Sequence, residues 1–208
     1  MIRPNSTVGR LLSGSLLVVA ALAGGTGCAS NAKSDVDGQD AIDLNRPGVT
    51  TSSEDGMIVK RYDLDGNETP DVVKHFEEYQ DPENDGVTLR RLRKKEVDVN
   101  GDGEIDIIKE YDKKGVPLKE KLDMDLNGTF DVVSHFTAGK LVRKELFGEK
   151  GKKVHTTRTY ADGKLKQVKK DTDGDGSIDY WEFYEQGVLQ RIGRDVDGDE
   201  KPDKWVNR

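Results

Sequence analysis

Five stretches of this chain share the spacing D-x-[DN]-x-[DN]-[GE]-x-x-D, and a polypeptide that repeats such a pattern has little freedom in what it can become. The copies are Asp63-Asp65-Asn67-Asp71, Asp98-Asn100-Asp102-Asp106, Asp123-Asp125-Asn127-Asp131, Asp171-Asp173-Asp175-Asp179 and Asp195-Asp197-Asp199-Asp203. Seventeen of these twenty residues are aspartates, far more acid than a generic turn requires. At 4 Å two unit charges repel by about 1 kcal/mol in bulk water and by several times that near a protein surface. A cation or a basic neighbour must intervene. Ca²⁺ is a hard ion that takes roughly six to eight oxygens, and carboxylates or amides at loop positions 1, 3 and 5 wrap it within one turn. The expected ligands are the side chains of positions 1, 3, 5 and 9, with the position-7 carbonyl added. Gly103, Gly128 and Gly176 stand at position 6, where the chain turns sharply; Glu68 and Glu200 stand there in the other two loops.

The spacing resembles the EF-hand loop, with a departure at its end. An EF-hand closes with a bidentate Glu at position 12 inside an exiting helix. Here position 12 is Lys74, Lys109, Ser134, Glu182 or Val206, so the Asp171 loop is the one that could close in that way. The residues that follow each loop, such as Ile105-Asp106-Ile107-Ile108 and Ile178-Asp179-Tyr180-Trp181, are β-branched and aromatic, which predicts strands. The loops therefore resemble the EF-hand-like calcium loops of β-rich extracellular modules, such as integrin-type propeller and thrombospondin type 3 repeats. That resemblance implies an aspartate ligand at position 9.

Loop starts lie 35, 25, 48 and 24 residues apart, which points to a unit of about 24 residues and a missing copy near residue 147. Phe147-Gly148-Glu149-Lys150-Gly151-Lys152 fills that place, with His155 at position 9 and Lys150, Lys152 and Lys153 as a substitute source of positive charge. A further weak copy is Asp35-Asp37-Gln39-Asp43. Within a unit the loop leads to a strand ending in an aromatic, then a glycine turn, then a second strand, as in residues 180–184, Glu185-Gln186-Gly187 and Val188–Arg194. Chained hairpins predict an all-β repeat array of about twelve antiparallel strands over residues 55–208, a meander with glycine turns along one edge and calcium loops along the other. The hairpin rhythm resembles the MORN-like repeats of bacteria. With 33% hydrophobic and 35% charged residues the core must be thin, so bound metal is the expected stiffener.

Residues 1–27 read as an export signal: Arg3 and Arg10, an apolar run over 11–23, then Gly24-Gly25-Thr26-Gly27. Cys28, the one cysteine, follows. The arrangement resembles a bacterial lipoprotein signal, with Gly25 where an aliphatic residue is usual, and implies a lipidated Cys28. Ala29 at the second mature position lacks the aspartate of inner-membrane retention, implying the outer membrane of a diderm host. Residues 28–54 are rich in Ser, Thr, Asp, Asn and Gly and are expected to form a tether. Disulfides are excluded once Cys28 is lipidated.

Basic clusters at Arg90-Arg91-Leu92-Arg93-Lys94-Lys95 and residues 164–170 are read as neutralising the acidic loops, with anionic glycan as the alternative. The chain's net charge of −7 argues against nucleic acid. His75 and His135 share a repeat position, and no Ser/His/Asp or Cys/His set is suggested, so no catalytic residue is expected. Trp181 and Trp205 pack strands or form a carbohydrate or partner platform. The expectation is a calcium-binding, lipid-anchored envelope protein with a structural or adhesive role and a protein or glycan partner. The alternative is a glycan- or small-ligand-binding module in which calcium is only scaffold.

Overall fold

The computed structural model describes residues 48–148 and 153–208. Cys28, the export signal, the copy at Asp35, Lys150 and Lys152 lie outside them. The described chain is all-β: β1 (Val49–Glu54), β2 (Met57–Tyr62), β3 (Val72–Gln80), β4 (Thr88–Val97), β5 (Ile107–Tyr111), β6 (Pro117–Leu122), β7 (Val132–Thr137), β8 (Lys140–Phe147), β9 (Val154–Ala161), β10 (Lys164–Lys170), β11 (Tyr180–Glu185), β12 (Val188–Arg194) and β13 (Lys204–Asn207). They form one antiparallel sheet in strict sequence order, and β1 and β13 are not neighbours in it. No helix among the described residues is long and apolar enough to cross a membrane.

The meander follows expectation with one correction. The strand count is 13 rather than about twelve, because β1 lies in the segment assigned to the tether. Its Thr/Ser-rich sequence reads as linker, yet Val49, Thr50 and Thr51 are β-branched, and Asp55-Gly56 is the strongest short hairpin signal. Both turn residues have positive φ, 50° and 75°, so the turn twists the way its strands do. Met57–Tyr62 is therefore the second strand of a hairpin. The same two-residue left-handed turn recurs at Ala138-Gly139, Asp162-Gly163 and Gln186-Gly187.

The core is thin, as the composition demands. The buried apolar side chains among the described residues are Val59, Phe76, Val132, Val133, Val168 and Trp181. They share the interior with Lys60, Ser134, Thr156 and four loop aspartates: Asp98, Asp106, Asp123 and Asp171. Trp181 is 4% exposed and so packs strands, whereas Trp205 on the last strand is 43% exposed. Trp205 and Pro202 crowd over Gly193, where an added Cβ would stand 2.8 Å from Pro202.

Candidate metal centre

Each acidic loop joins the second strand of one hairpin to the first strand of the next, so all five lie along the same edge. Their backbones extend the ladder. The position-9 amide bonds the carbonyl that precedes position 1, as in Asp106 N to Val97 O (2.9 Å) and Asp179 N to Lys170 O (3.0 Å). The position-1 amide bonds the position-9 carbonyl of the unit before: Asp98 to Asp71 (2.9 Å), Asp123 to Asp106 (2.8 Å) and Asp195 to Asp179 (3.0 Å). In the degenerate unit His155 fills the position-9 place, its carbonyl accepting the Asp171 amide at 2.9 Å.

Inside each loop the acidic side chains hold the backbone in a fixed curl. The position-1 carboxylate accepts two amides, those of positions 4 and 6. These are Gly66 and Glu68 on Asp63 (2.7 and 3.1 Å), and Gly101 and Gly103 on Asp98 (2.7 and 2.8 Å). Leu126 and Gly128 do the same on Asp123 (2.8 and 2.7 Å), Gly174 and Gly176 on Asp171 (2.7 and 2.8 Å), and Gly198 and Glu200 on Asp195 (2.8 and 2.7 Å). The position-9 carboxylate accepts the position-2 amide: Leu64 to Asp71 at 2.5 Å, Val99 to Asp106 at 2.6 Å, Met124 to Asp131 at 2.7 Å and Val196 to Asp203 at 2.8 Å. The position-5 side chain accepts the position-7 amide, as in Glu104 to Asp102 (2.8 Å) and Ser177 to Asp175 (2.7 Å). The Glu104 backbone amide, and then the Asn100 side-chain amide, hold the Asp102 carboxyl below its ordinary range. Burial opposes ionisation of Asp195, but the amides of Gly198 and Glu200 outweigh it and lower its pKa.

A carboxylate has about four lone-pair sites, and the backbone bonds use one to three of them. The rest converge. Ligand oxygens of Asp63, Asp65 and Asp71, of Asp123, Asp125 and Asp131, and of Asp171, Asp173 and Asp179 all lie within 4.8 Å of one another, a separation that could hold a metal ion. In the last loop the gathered set is Asp195, Asp197 and Asp199, with Asp203 outside it. In the second loop Asn100 replaces the position-3 carboxylate and donates its amide to Asp102 (2.8 Å), and Asp98, Asp102 and Asp106 do not form such a set.

Two sequence expectations are corrected. Glu182 does not close the Asp171 loop: strand alternation turns it to the other face, where it accepts Lys170 Nζ (3.2 Å) and the Tyr184 hydroxyl (2.7 Å). The basic strand residues do not neutralise the loops either. Their ion pairs go to strand glutamates: Arg90 to Glu78 (2.9 Å), Arg91 to Glu77 (3.4 Å), Lys94 to Glu96 (2.5 Å) and Lys109 to Glu120 (2.9 Å). Strand geometry explains this, since cross-strand neighbours, or for Lys94 the residue two along its own strand, are closer to these cations than the loop tips are. Lys201, inside the last loop, does play the expected role, pairing with Asp199 at 2.8 Å, and Lys153 donates to the Asp175 carbonyl (2.9 Å) and lies against Gly176.

His75 bonds Glu96 (2.6 Å) and His135 bonds Glu145 (2.9 Å), the same architectural pair in two units. Burial disfavours the charged form of Glu96, yet hydrogen bonds from Lys94 and His75 keep its pKa low. Sequence reading missed the apolar residues at loop position 2. Leu64, Val99, Met124 and Val196 are 59–71% exposed, a pattern legible once the loops are aligned.

No protein family and no curated protein matches the sequence. Two solved structures share part of its shape. One is a mutant of S. aureus TarM in complex with fondaparinux, alpha-GlcNAc-glycerol and UDP, at TM-score 0.34 and 10% identity, covering 73% of this chain and 23% of that one. The other is accessory secretory protein 1, 2 and 3 of Streptococcus pneumoniae, at TM-score 0.30 and 12% identity, covering 62% and 20%. The chain thus spans about a quarter or less of either.

Proposed function

We propose that this is a calcium-binding, lipid-anchored protein of the bacterial envelope, whose role is structural: a sheet stiffened along one edge by metal, serving adhesion, envelope assembly or a surface machine. One observation carries the reading. Four loops gather three carboxylates each within the reach of a single ion, and the strand cations pair elsewhere; in the last loop alone a lysine, Lys201, pairs with one of the three, Asp199. All the gathered atoms are hard oxygens, with no imidazole or thiolate among them, which favours Ca²⁺ over Zn²⁺ or copper. Positions 1, 3, 5 and 9 and the position-7 carbonyl would supply the ligands. The role is non-catalytic, and the anchor is a lipid on Cys28 at the outer membrane.

Calcium titration calorimetry of the purified protein, with melting followed in EDTA and in millimolar calcium, tests this. Four ions are expected, one for each gathered set, or five if Asn100 turns its oxygen inward. Each site at a hundred times its Kd adds about 2.7 kcal/mol to the folded state. No binding at millimolar calcium overturns the metal reading. Cys28→Ala should move the protein from the membrane to the soluble fraction, and an unchanged distribution would remove the anchor from it.

A further inference from the structure

Directly paired residues of an antiparallel sheet share a face. Followed strand by strand from β2 to β5, one line of such pairs runs Lys60, Lys74, Lys95, Lys109. It passes through Glu120 and Ser134 and resumes as Lys144 and Arg158 on β8 and β9. Three consecutive lysine pairs and a lysine–arginine pair therefore stand directly opposite one another, an arrangement that destabilises a sheet. Little in the fold relieves it. Lys109 has Glu120 at 2.9 Å, Lys74 lies 5.1 Å from the centre of the Tyr62 ring, and Lys60 lies 5.7 Å from the centre of the Phe76 ring. Among the described residues Lys95, Lys144 and Arg158 have no ion-pair or hydrogen-bond partner. Lys60 is buried and closes one end of the row.

The lines beside the row on the same face carry no carboxylate in this region. Val72, Val97, Ile107 and Leu122 flank it on the loop side, and Phe76 and Leu92 on the other. The result is a basic row with apolar flanks over β3 to β6, at right angles to the strands, interrupted at Glu120 and at the buried Ser134 before it resumes at Lys144 and Arg158. With strands about 4.8 Å apart, β3 to β9 covers about 29 Å.

We propose that this face binds an extended anionic polysaccharide, with its acidic groups on Lys74, Lys95, Lys144 and Arg158 and its sugar rings against the loop-side flank of Val72, Val97, Ile107 and Leu122. Charge complementarity selects a polyanion, and the row sacrifices sheet stability for it. Single-stranded nucleic acid fits less well, because base stacking needs open aromatic faces. Phe76 is 4% exposed, and the Tyr62 ring is covered by Lys74. The site stands apart from the loops and from the calcium reading.

Binding of dextran sulfate and of neutral dextran to the purified protein in millimolar calcium tests it, with oligothymidylate as the third probe. The expected result is salt-sensitive binding of dextran sulfate and none of dextran. Lys95→Glu with Lys144→Glu should weaken that binding by about tenfold or more. The same pair of changes creates opposite-charge neighbours, so the melting temperature should rise. Lys119→Glu, on the other face, should alter binding less than about twofold. Lys95→Gln with Lys144→Gln should fall between wild type and the reversal. The proposal is overturned by equal loss in Lys119→Glu, by dextran bound as well as its sulfate, by tighter binding of oligothymidylate, or by a melting temperature that falls in the double reversal.

Discussion

Leu126 occupies position 4 of the Asp123 loop at a φ of 60°, where the other four loops place glycine. A left-handed conformation costs a branched side chain about 1–2 kcal/mol, while asparagine tolerates it. Leu126→Asn should therefore raise the melting temperature by about 2–4 °C per kcal/mol recovered, measured by circular dichroism in EDTA, where no ion biases the loop. Glu68 and Glu200 hold position 6 at 68° and 62°, so acid-rich loops tolerate the strain in more than one place. Tyr184 supplies a second test. Burial, and then its bond to Glu182, push its hydroxyl up to about 12 from an ordinary 10. A raised acid contributes stability that is complete below the unfolded value and lost as pH climbs through the folded one. Stability should fall between about pH 10 and 12, followed by phenolate absorbance and melting, and Tyr184→Phe should flatten that part of the profile. Glu182 runs the other way. Burial raises its pKa, but bonds from Tyr184, Lys170 and Tyr180 lower it overall. Its contribution is present above the ordinary carboxylate range and is lost as acid takes the pH below about 4.5.

The hairpins after β2 are legible in the sequence because glycine turns and β-branched runs state them locally. The cost of a hairpin's failure is set by what it buries. β11 carries Trp181, 4% exposed, opposite Gly193 on β12 and Lys169 on β10. Trp181→Ala should cost about 3–5 kcal/mol, as expected for a buried aromatic, and loosen β11 to β13 before the rest. Hydrogen exchange resolved along the chain would register it, and uniform loss of protection across all strands would contradict a repeat whose units contact only their neighbours. Gly193 needs its lack of a side chain for a separate reason, because Pro202 and Trp205 lie over it.

At the scale of the whole sheet, two charge systems are kept apart by alternation. Position 9 of a loop and position 12 of the next strand differ by three residues, so the aspartates and the lysine row face opposite ways. If the loops hold calcium as proposed, removing it should release repulsion along one edge alone. The melting temperature in EDTA should fall, and Asp171→Ala should reduce the calcium-induced rise by about the share of one site in four. A melting temperature indifferent to chelator would contradict an edge stiffened by metal.

The five loops, their 24-residue cadence and the all-β meander were determined by sequence, because each depends on residues close together in the chain: an aspartate reaching an amide two to seven residues away, or a glycine turning between adjacent strands. β1 was hidden by its Thr/Ser composition, although Asp55-Gly56 announced it. What only the tertiary structure decided were relations between units. Register stacked Lys74 beside Lys95 and Lys109, turned Glu182 away from its loop and sent the strand arginines to glutamates. Pairing between strands from different units depends on sequence separation and a one-residue choice of face, and that choice is made by the assembled sheet and not by any segment of it.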